Sequence, residues 1–236
     1  MAPVLLKALI FDFDGTLAEL HIDFSKIRRG ITALGAAFDA DSNVWNNEQW
    51  PILEKVQELS ADLEKKQPGK GAEFASRCRL LVTAHEMDAA EKGKLFHYSA
   101  PVLHGLRKAG LKTAIITRNC TAAVKRVLPR PEQVCHVLLA RDDVSYPKPH
   151  PDHVLRALHG LSIKPEQGIL IGDHALDIQA AKAVGLYSAA VSTGNQSLQE
   201  LREHKPDFSA GDLLDLMQQL YVAGCLPEDI DLTGYI

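Results

Sequence analysis

Past residue 98 the chain alternates short apolar runs with segments of helical periodicity. The runs are "LKTAIIT" (111–117), "VCHVLLA" (134–140), "GILIGD" (168–173) and "YSAAVS" (187–192). Between them, "APVLHGLRKAG", "CTAAVKRVL", "HPDHVLRALHGL" and "ALDIQAAKAVG" repeat apolar residues at the spacing of a helix face. Strand and helix in turn predict an α/β fold, a Rossmann-like parallel sheet with helices on both faces. Gly110 and Gly185 stand where two of these helices should stop, because glycine takes the left-handed C-terminal conformation most readily. A further apolar run, residues 4–13, has no partner of its own and is expected to join the same sheet.

Residues 19–96 follow a different pattern. They carry long charged stretches such as "EKVQELSADLEKK", both tryptophans (Trp45 and Trp50) and almost no strand-like run. Helices are predicted near 24–35, 48–66 and 71–92, with "QPGKG" as a break. The expected organisation is a core of residues 1–18 and 97–236 interrupted by an all-helical cap, residues 19–96, with hinges near 17–19 and 98–101. Trp45 and Trp50 are expected to pack that cap. The tail "AGCLPEDIDLTGYI" shows turn signals and no clear element.

Composition narrows the function without naming it. With 236 residues, 46% of them hydrophobic, the chain can bury a full core. A net charge of -4 with Lys and Arg spread along the sequence speaks against nucleic acid or an anionic membrane surface as partner. No segment approaches the roughly 20 apolar residues that span a bilayer. The four cysteines form no CxxC pair, which suits a reducing cytoplasm. A small soluble partner is the expectation that remains.

The chemistry collects where strands end. Asp12 and Asp14 follow the first run, Thr117 the second, Lys148 lies in the loop after the third, and Asp173 follows the fourth with Asp177 close behind. Ligands of open α/β sheets bind outside those carboxyl ends, so these residues should meet in one crevice. Two adjacent carboxylates are costly in a core, and four acids against one lysine call for a cation. Hard oxygen ligands with few competing His or Cys residues suit Mg²⁺. A helix starting after Thr117 and the charge of Lys148 would suit a phosphoryl group.

"DFDGTL", the Thr of "IITRN", the Lys of "PKPHPD" and "GDHALD", in this order, resemble the four motifs of the haloacid dehalogenase superfamily. The chain looks like its phosphatase branch with a helical cap after the first strand, the group of phosphoglycolate phosphatase-like enzymes. The resemblance implies that Asp12 is the nucleophile forming an aspartyl-phosphate and that Asp14 is the general acid and base. It implies that Thr117, Arg118 and Lys148 bind phosphoryl oxygens. It implies Mg²⁺ held by the Asp12 carboxylate, the Asp14 carbonyl and Asp173, with Asp177 as a further ligand or as a group orienting one.

The expected activity is thus Mg²⁺-dependent hydrolysis of a small phosphorylated metabolite, by a monomer or homodimer. A sugar-phosphate mutase on the same scaffold and a metabolite-sensing regulatory module stand as alternatives. Arg28 and Arg29 in "DFSKIRRGI" read either as contacts for a substrate's anionic group or as a solvated basic turn. His174 departs from the small residue many relatives carry after "GD". His150 and His153, on a helix after Pro149, read as surface residues, since their spacing without a carboxylate makes no metal site.

Overall fold

The computed structural model describes residues 5–40 and 50–230. Val4, Trp45, the start of the expected second helix and the end of the tail lie outside the described residues. The chain divides into two compact units, one of residues 1–20 with 90–236 and one of residues 21–89.

The larger unit is built on a six-stranded sheet. Its strands are β1 (Ala8–Phe11), β4 (Lys112–Ile116), β5 (Val137–Leu139), β6 (Gly168–Gly172), β7 (Tyr187–Val191) and β8 (Phe208–Ala210), in the order β5-β4-β1-β6-β7-β8. Every neighbouring pair is parallel. The remaining pair, β2 (Ala18–Glu19) and β3 (Lys94–Leu95), is a short antiparallel ribbon. The β1 residues are buried throughout, which is why "ALIF" is apolar without alternation: a parallel strand between helical layers has no wet face.

Helices α4 (Ser99–Lys108), α5 (Thr121–Val127), α6 (Pro151–Leu161), α7 (Ala175–Ala183) and α8 (Leu198–Glu203) lie between successive strands, and α9 (Leu213–Val222) follows β8. On one face Ala8, Ile10, Ala114, Ile116 and Leu170 pack against Val154, Ala157, Leu158 and Leu161 of α6 and Ala180 and Ala181 of α7. Small alanines at the α7 contact let helix and sheet approach closely.

Strand order sets the position of a crevice. From β1 the chain builds β4 and β5 on one side, then returns to lay β6, β7 and β8 on the other. From β1 the sheet grows to one side and from β6 to the other, so the strand order reverses between them, and such a switch point marks a crevice at the carboxyl ends.

Two departures from the sequence reading have local causes. The run 134–140 yields a strand only over Val137–Leu139, because the turn Pro131–Gln133 draws the N–H groups of Val134 and Cys135 to the Pro131 carbonyl. The helix expected directly after Thr117 begins at Thr121, whose N–H is already bonded to Asp142 Oδ2 at 3.1 Å. The described part of the tail packs on the core: the Cys225 carbonyl accepts from Leu6 N–H at 2.9 Å, and Leu226 and Ile230 are buried.

The smaller unit contains α1 (Phe24–Ala37) and α2 (Ile52–Lys66), and α3 (Lys70–Ala90) runs to its end. Asp23 caps α1 by accepting from Lys26 N–H. Its core gathers Ile27, Ile31, Leu59, Leu63, Phe74 and Cys78 together with Trp50. Gly71 permits the close turn between α2 and α3, since a β-carbon there would overlap the Ser60 carbonyl.

Candidate active site

Each acidic side chain reaches the crevice from its own segment. Asp12 continues β1, its N–H bonded to the Ile171 carbonyl of β6 at 2.8 Å, so the last rung of the ladder fixes its backbone. Asp173 follows β6 directly. Asp177 sits in the first turn of α7, where its Oδ2 accepts from His174 N–H at 3.2 Å and completes the helix cap. Asp12, Asp173 and Asp177 each offer a carboxylate oxygen, and these oxygens lie within 4.8 Å of one another.

Lys148 is the cation among them. Its side chain is 1% exposed, with Nζ 2.8 Å from Asp12 Oδ1 and 2.6 Å from Asp177 Oδ1. Burial alone would discharge this lysine, but the two carboxylates outweigh it and hold its pKa above the ordinary value. One ammonium does not balance three acids. Burial, reinforced by Asp12, Asp177 and Asp14, raises the Asp173 pKa well above the ordinary carboxylate range. Burial also raises Asp12, where Lys148 pulls downward and Asp177 adds repulsion.

That surplus is the test of a metal. Three hard carboxylates, two of them buried and Asp12 partly so, with one neighbouring ammonium leave about two negative charges uncompensated when ionised, which a divalent cation would neutralise. The donor set fits Mg²⁺.

The glycines of the site are there for space. A β-carbon on Gly15 or Gly194 would overlap the Asp173 carboxylate, and one on Gly172 would overlap that of Asp177. Gly15 also has φ +82°, a conformation other residues enter only with strain. Around them, Thr16 Oγ1 donates to Asp173 Oδ1 at 3.2 Å, and Thr193 Oγ1 donates to the Gly15 carbonyl at 2.5 Å.

The other residues singled out from sequence are placed as follows. Asp14 stands outside the three-carboxylate group; its Oδ1 accepts from Leu20 N–H at 3.0 Å across the turn closed by Gly15. Thr117 is fully buried at the end of β4, with its hydroxyl 2.8 Å from Asn119 Oδ1. Arg118 is half-buried, and its Nη1 donates to the Lys148 carbonyl at 2.7 Å. Arg28 and Arg29 lie on α1 of the helical unit. Arg28 Nε donates to the Trp50 carbonyl at 3.1 Å, while Arg29 is exposed. His174 caps α7, its Nδ1 accepting from Leu176 N–H at 3.1 Å.

Sequence reasoning missed four residues here: Thr16, Asn119, Thr193 and His153. His153 is the plainest error, for it is fully buried and not a surface residue. The signal was present in the helix pattern: Ala157 and Leu161 of the buried α6 face follow it by four and eight positions. Thr193 and Asn119 carried no such signal.

Comparison with known proteins identifies the family and the fold. Residues 6–185 match the family described as haloacid dehalogenase-like hydrolase. The chain is 27% identical to a phosphoglycolate phosphatase of Salmonella typhimurium, over 91% of this chain and 92% of that protein. It is 33% identical to the pyrophosphatase PpaX of Bacillus cereus, over 48% of this chain and 53% of that one. The crystal structure of a hydrolase from Pseudomonas syringae superposes with a TM-score of 0.65 at 22% identity, covering 92% of this chain and 98% of that one.

Proposed function

Since the chain belongs to the haloacid dehalogenase-like hydrolases, we propose that it is a Mg²⁺-dependent phosphatase of small phosphorylated metabolites, working through an aspartyl-phosphate. The observation that carries this reading is the meeting of Asp12, Asp173 and Asp177 with one buried lysine at the carboxyl end of the sheet. Relatives named for a phosphoglycolate phosphatase and a pyrophosphatase support a phosphorylated small molecule as substrate.

In this reading an Asp12 carboxylate oxygen attacks phosphorus while the bond to the ester oxygen breaks, and Asp14 gives that oxygen its proton. Water then attacks the phosphorylated Asp12, Asp14 takes the water's proton, and inorganic phosphate leaves with Asp12 regenerated. Lys148 and Thr117 hold the phosphoryl oxygens, with Arg118 beside them, and stabilise the charge that builds up on them. Asp12 and Asp173, with Asp177 nearby, would hold Mg²⁺, which supplies Lewis-acid polarisation of the phosphoryl group and neutralises the acids. The four cysteines are buried and none is in a disulfide, in keeping with a reducing compartment such as the cytoplasm. Among the described residues no helix is long and apolar enough to cross a membrane.

The test is a phosphate-release screen of the purified protein over small acids, sugars, nucleotides and aromatic phosphates, with Mg²⁺ and with chelator. Release from at least one class, lost in chelator, is expected. Isomerisation of a sugar phosphate without release would favour a mutase. Tight metabolite binding with no turnover would favour a sensor.

A thermal consequence can be read without any substrate. Because the folded pKa of Asp173 lies above its unfolded value, the contribution of this group to the stability of the metal-free protein is fully present below the unfolded carboxylate pKa of about 4 and is lost as pH rises through the folded one. Mg²⁺ should therefore raise the melting temperature more at pH 7.5 than at pH 5. A tenfold excess over its dissociation constant at pH 7.5 corresponds to about 1.4 kcal/mol, or about 3 °C for a chain of this size. An equal gain at both pH values would contradict the assignment.

A further inference from the structure

The ring of His153 has both nitrogens engaged. Nδ1 accepts from the Lys148 backbone N–H at 3.1 Å, and Nε2 lies 3.1 Å from the Leu139 carbonyl. A carbonyl requires a donor and an N–H requires an acceptor, so the proton sits on Nε2 and the imidazole is neutral. Burial and the neighbouring Lys148 favour that state, lowering the pKa to about 4. The same Leu139 carbonyl accepts from Thr117 N–H at 3.0 Å. One imidazole therefore closes a chain of bonds that runs from the Thr117 backbone through Leu139 to the Lys148 backbone.

The other end of Lys148 is tied as well. Its carbonyl accepts from Arg118 Nη1 at 2.7 Å, so the residue is held at both its N–H and its C=O. The lysine side chain leaves a loop and reaches two carboxylates from full burial. A loop residue with a long side chain keeps that aim only if its backbone is fixed.

We propose that His153 is a positioning residue, setting the separation of Thr117 and Lys148 so that both meet a single phosphoryl group. The inference rests on the reading of these two residues as phosphate-binding. It gives a role to a histidine that touches no reacting atom, and it separates the two halves of the ring: Nδ1 aims Lys148, while Nε2 anchors the ring to β5.

Two substitutions and a double-mutant cycle test it. His153→Leu fills similar volume and removes both bonds; it should lower kcat/KM for an aryl phosphate about 10- to 100-fold. His153→Asn places an acceptor oxygen near the Nδ1 position but removes the ring's bond to the Leu139 carbonyl, which keeps only Thr117 N–H. It should melt lower than wild type yet keep kcat/KM within about threefold, an outcome a purely structural histidine would not give. In a Lys148→Met background, His153→Leu should cost less than about threefold more, because the residue it aims is gone.

Orthophosphate affinity, measured calorimetrically in Mg²⁺ with wild type and the same variants, reads the same cycle without turnover. If wild type releases no phosphate from any ester, the functional reading fails while the binding cycle still decides the role of His153. Equal costs of His153→Leu with and without the Lys148 side chain, or loss of affinity that tracks melting temperature in both variants, overturns the proposal. So does orthophosphate affinity equal to wild type in His153→Leu, or binding to neither protein.

Discussion

Asp12→Asn should lower phosphate release at least about a thousandfold while the protein stays folded. The amide keeps the shape of the carboxylate and loses its nucleophilic oxygen, so the bond from side chain to phosphorus cannot form. Stability should hold for an electrostatic reason. Asp12 is one of three acids crowded together, with a pKa raised by burial, and neutralising it relieves repulsion on Asp173. The cost is one partner of Lys148, which keeps Asp177 at 2.6 Å. Rate measurement beside circular dichroism melting checks both halves: a variant retaining a tenth of the activity would remove Asp12 from the role of nucleophile, and a collapsed melt would mean the residue is structural. Acid-quenched wild type should carry phosphate on the chain, and the variant none.

Lys148→Met should harm both activity and fold. Methionine nearly fills the lysine's volume, so the loss is electrostatic: Asp12 and Asp177 keep their burial and lose their cation. Breaking a buried ion pair by removing one partner costs about 3–5 kcal/mol, or roughly 10 °C in melting temperature for a chain of this length. Turnover should fall about 100- to 1000-fold as charge stabilisation on the phosphoryl oxygens disappears. The sign of the pH dependence follows from the acids. Carboxylates whose folded pKa is raised are harmless while protonated, so the deficit against wild type should be small near pH 4 and grow toward neutrality. Mg²⁺ should restore part of the melting temperature, since it neutralises the same acids, without restoring the rate. A melt matching wild type at pH 7.5 would show that the ammonium does not stabilise the cluster.

How far the site was legible depends on how each residue is specified. Asp12, Thr117 and Asp173 stand at the ends of apolar runs, and a parallel sheet delivers strand ends to one edge whatever lies between them. Their convergence could be read from the runs alone. Asp177 is different: its place in the first turn of α7 was readable, but its bond to Lys148 joins two segments 29 residues apart through side chains, and no periodicity encodes such a bond. His153 shows a failure of another kind. Its place on the buried stripe of α6 was written in the spacing to Ala157 and Leu161, and its polarity obscured the pattern.

The same division runs through the fold. The α/β alternation, the buried β1 strand and the helices of the smaller unit follow from apolar periodicity, which acts along the chain and needs no knowledge of partners. Strands β2 and β3, of two residues each, carry no periodicity and exist because Ala18 and Leu95 face one another across the ribbon. Strand β8 is likewise short, and is defined by its pairing with β7. By itself the sequence determined which residues end strands, and hence the acidic character of the crevice and the chemistry it invites. Only the tertiary structure decided the pairings within it: Lys148 between Asp12 and Asp177, Thr16 on Asp173, and His153 between the Leu139 carbonyl and the Lys148 N–H. Those contacts depend on distances and directions between side chains from separate segments, and such distances exist only once the sheet has closed around them.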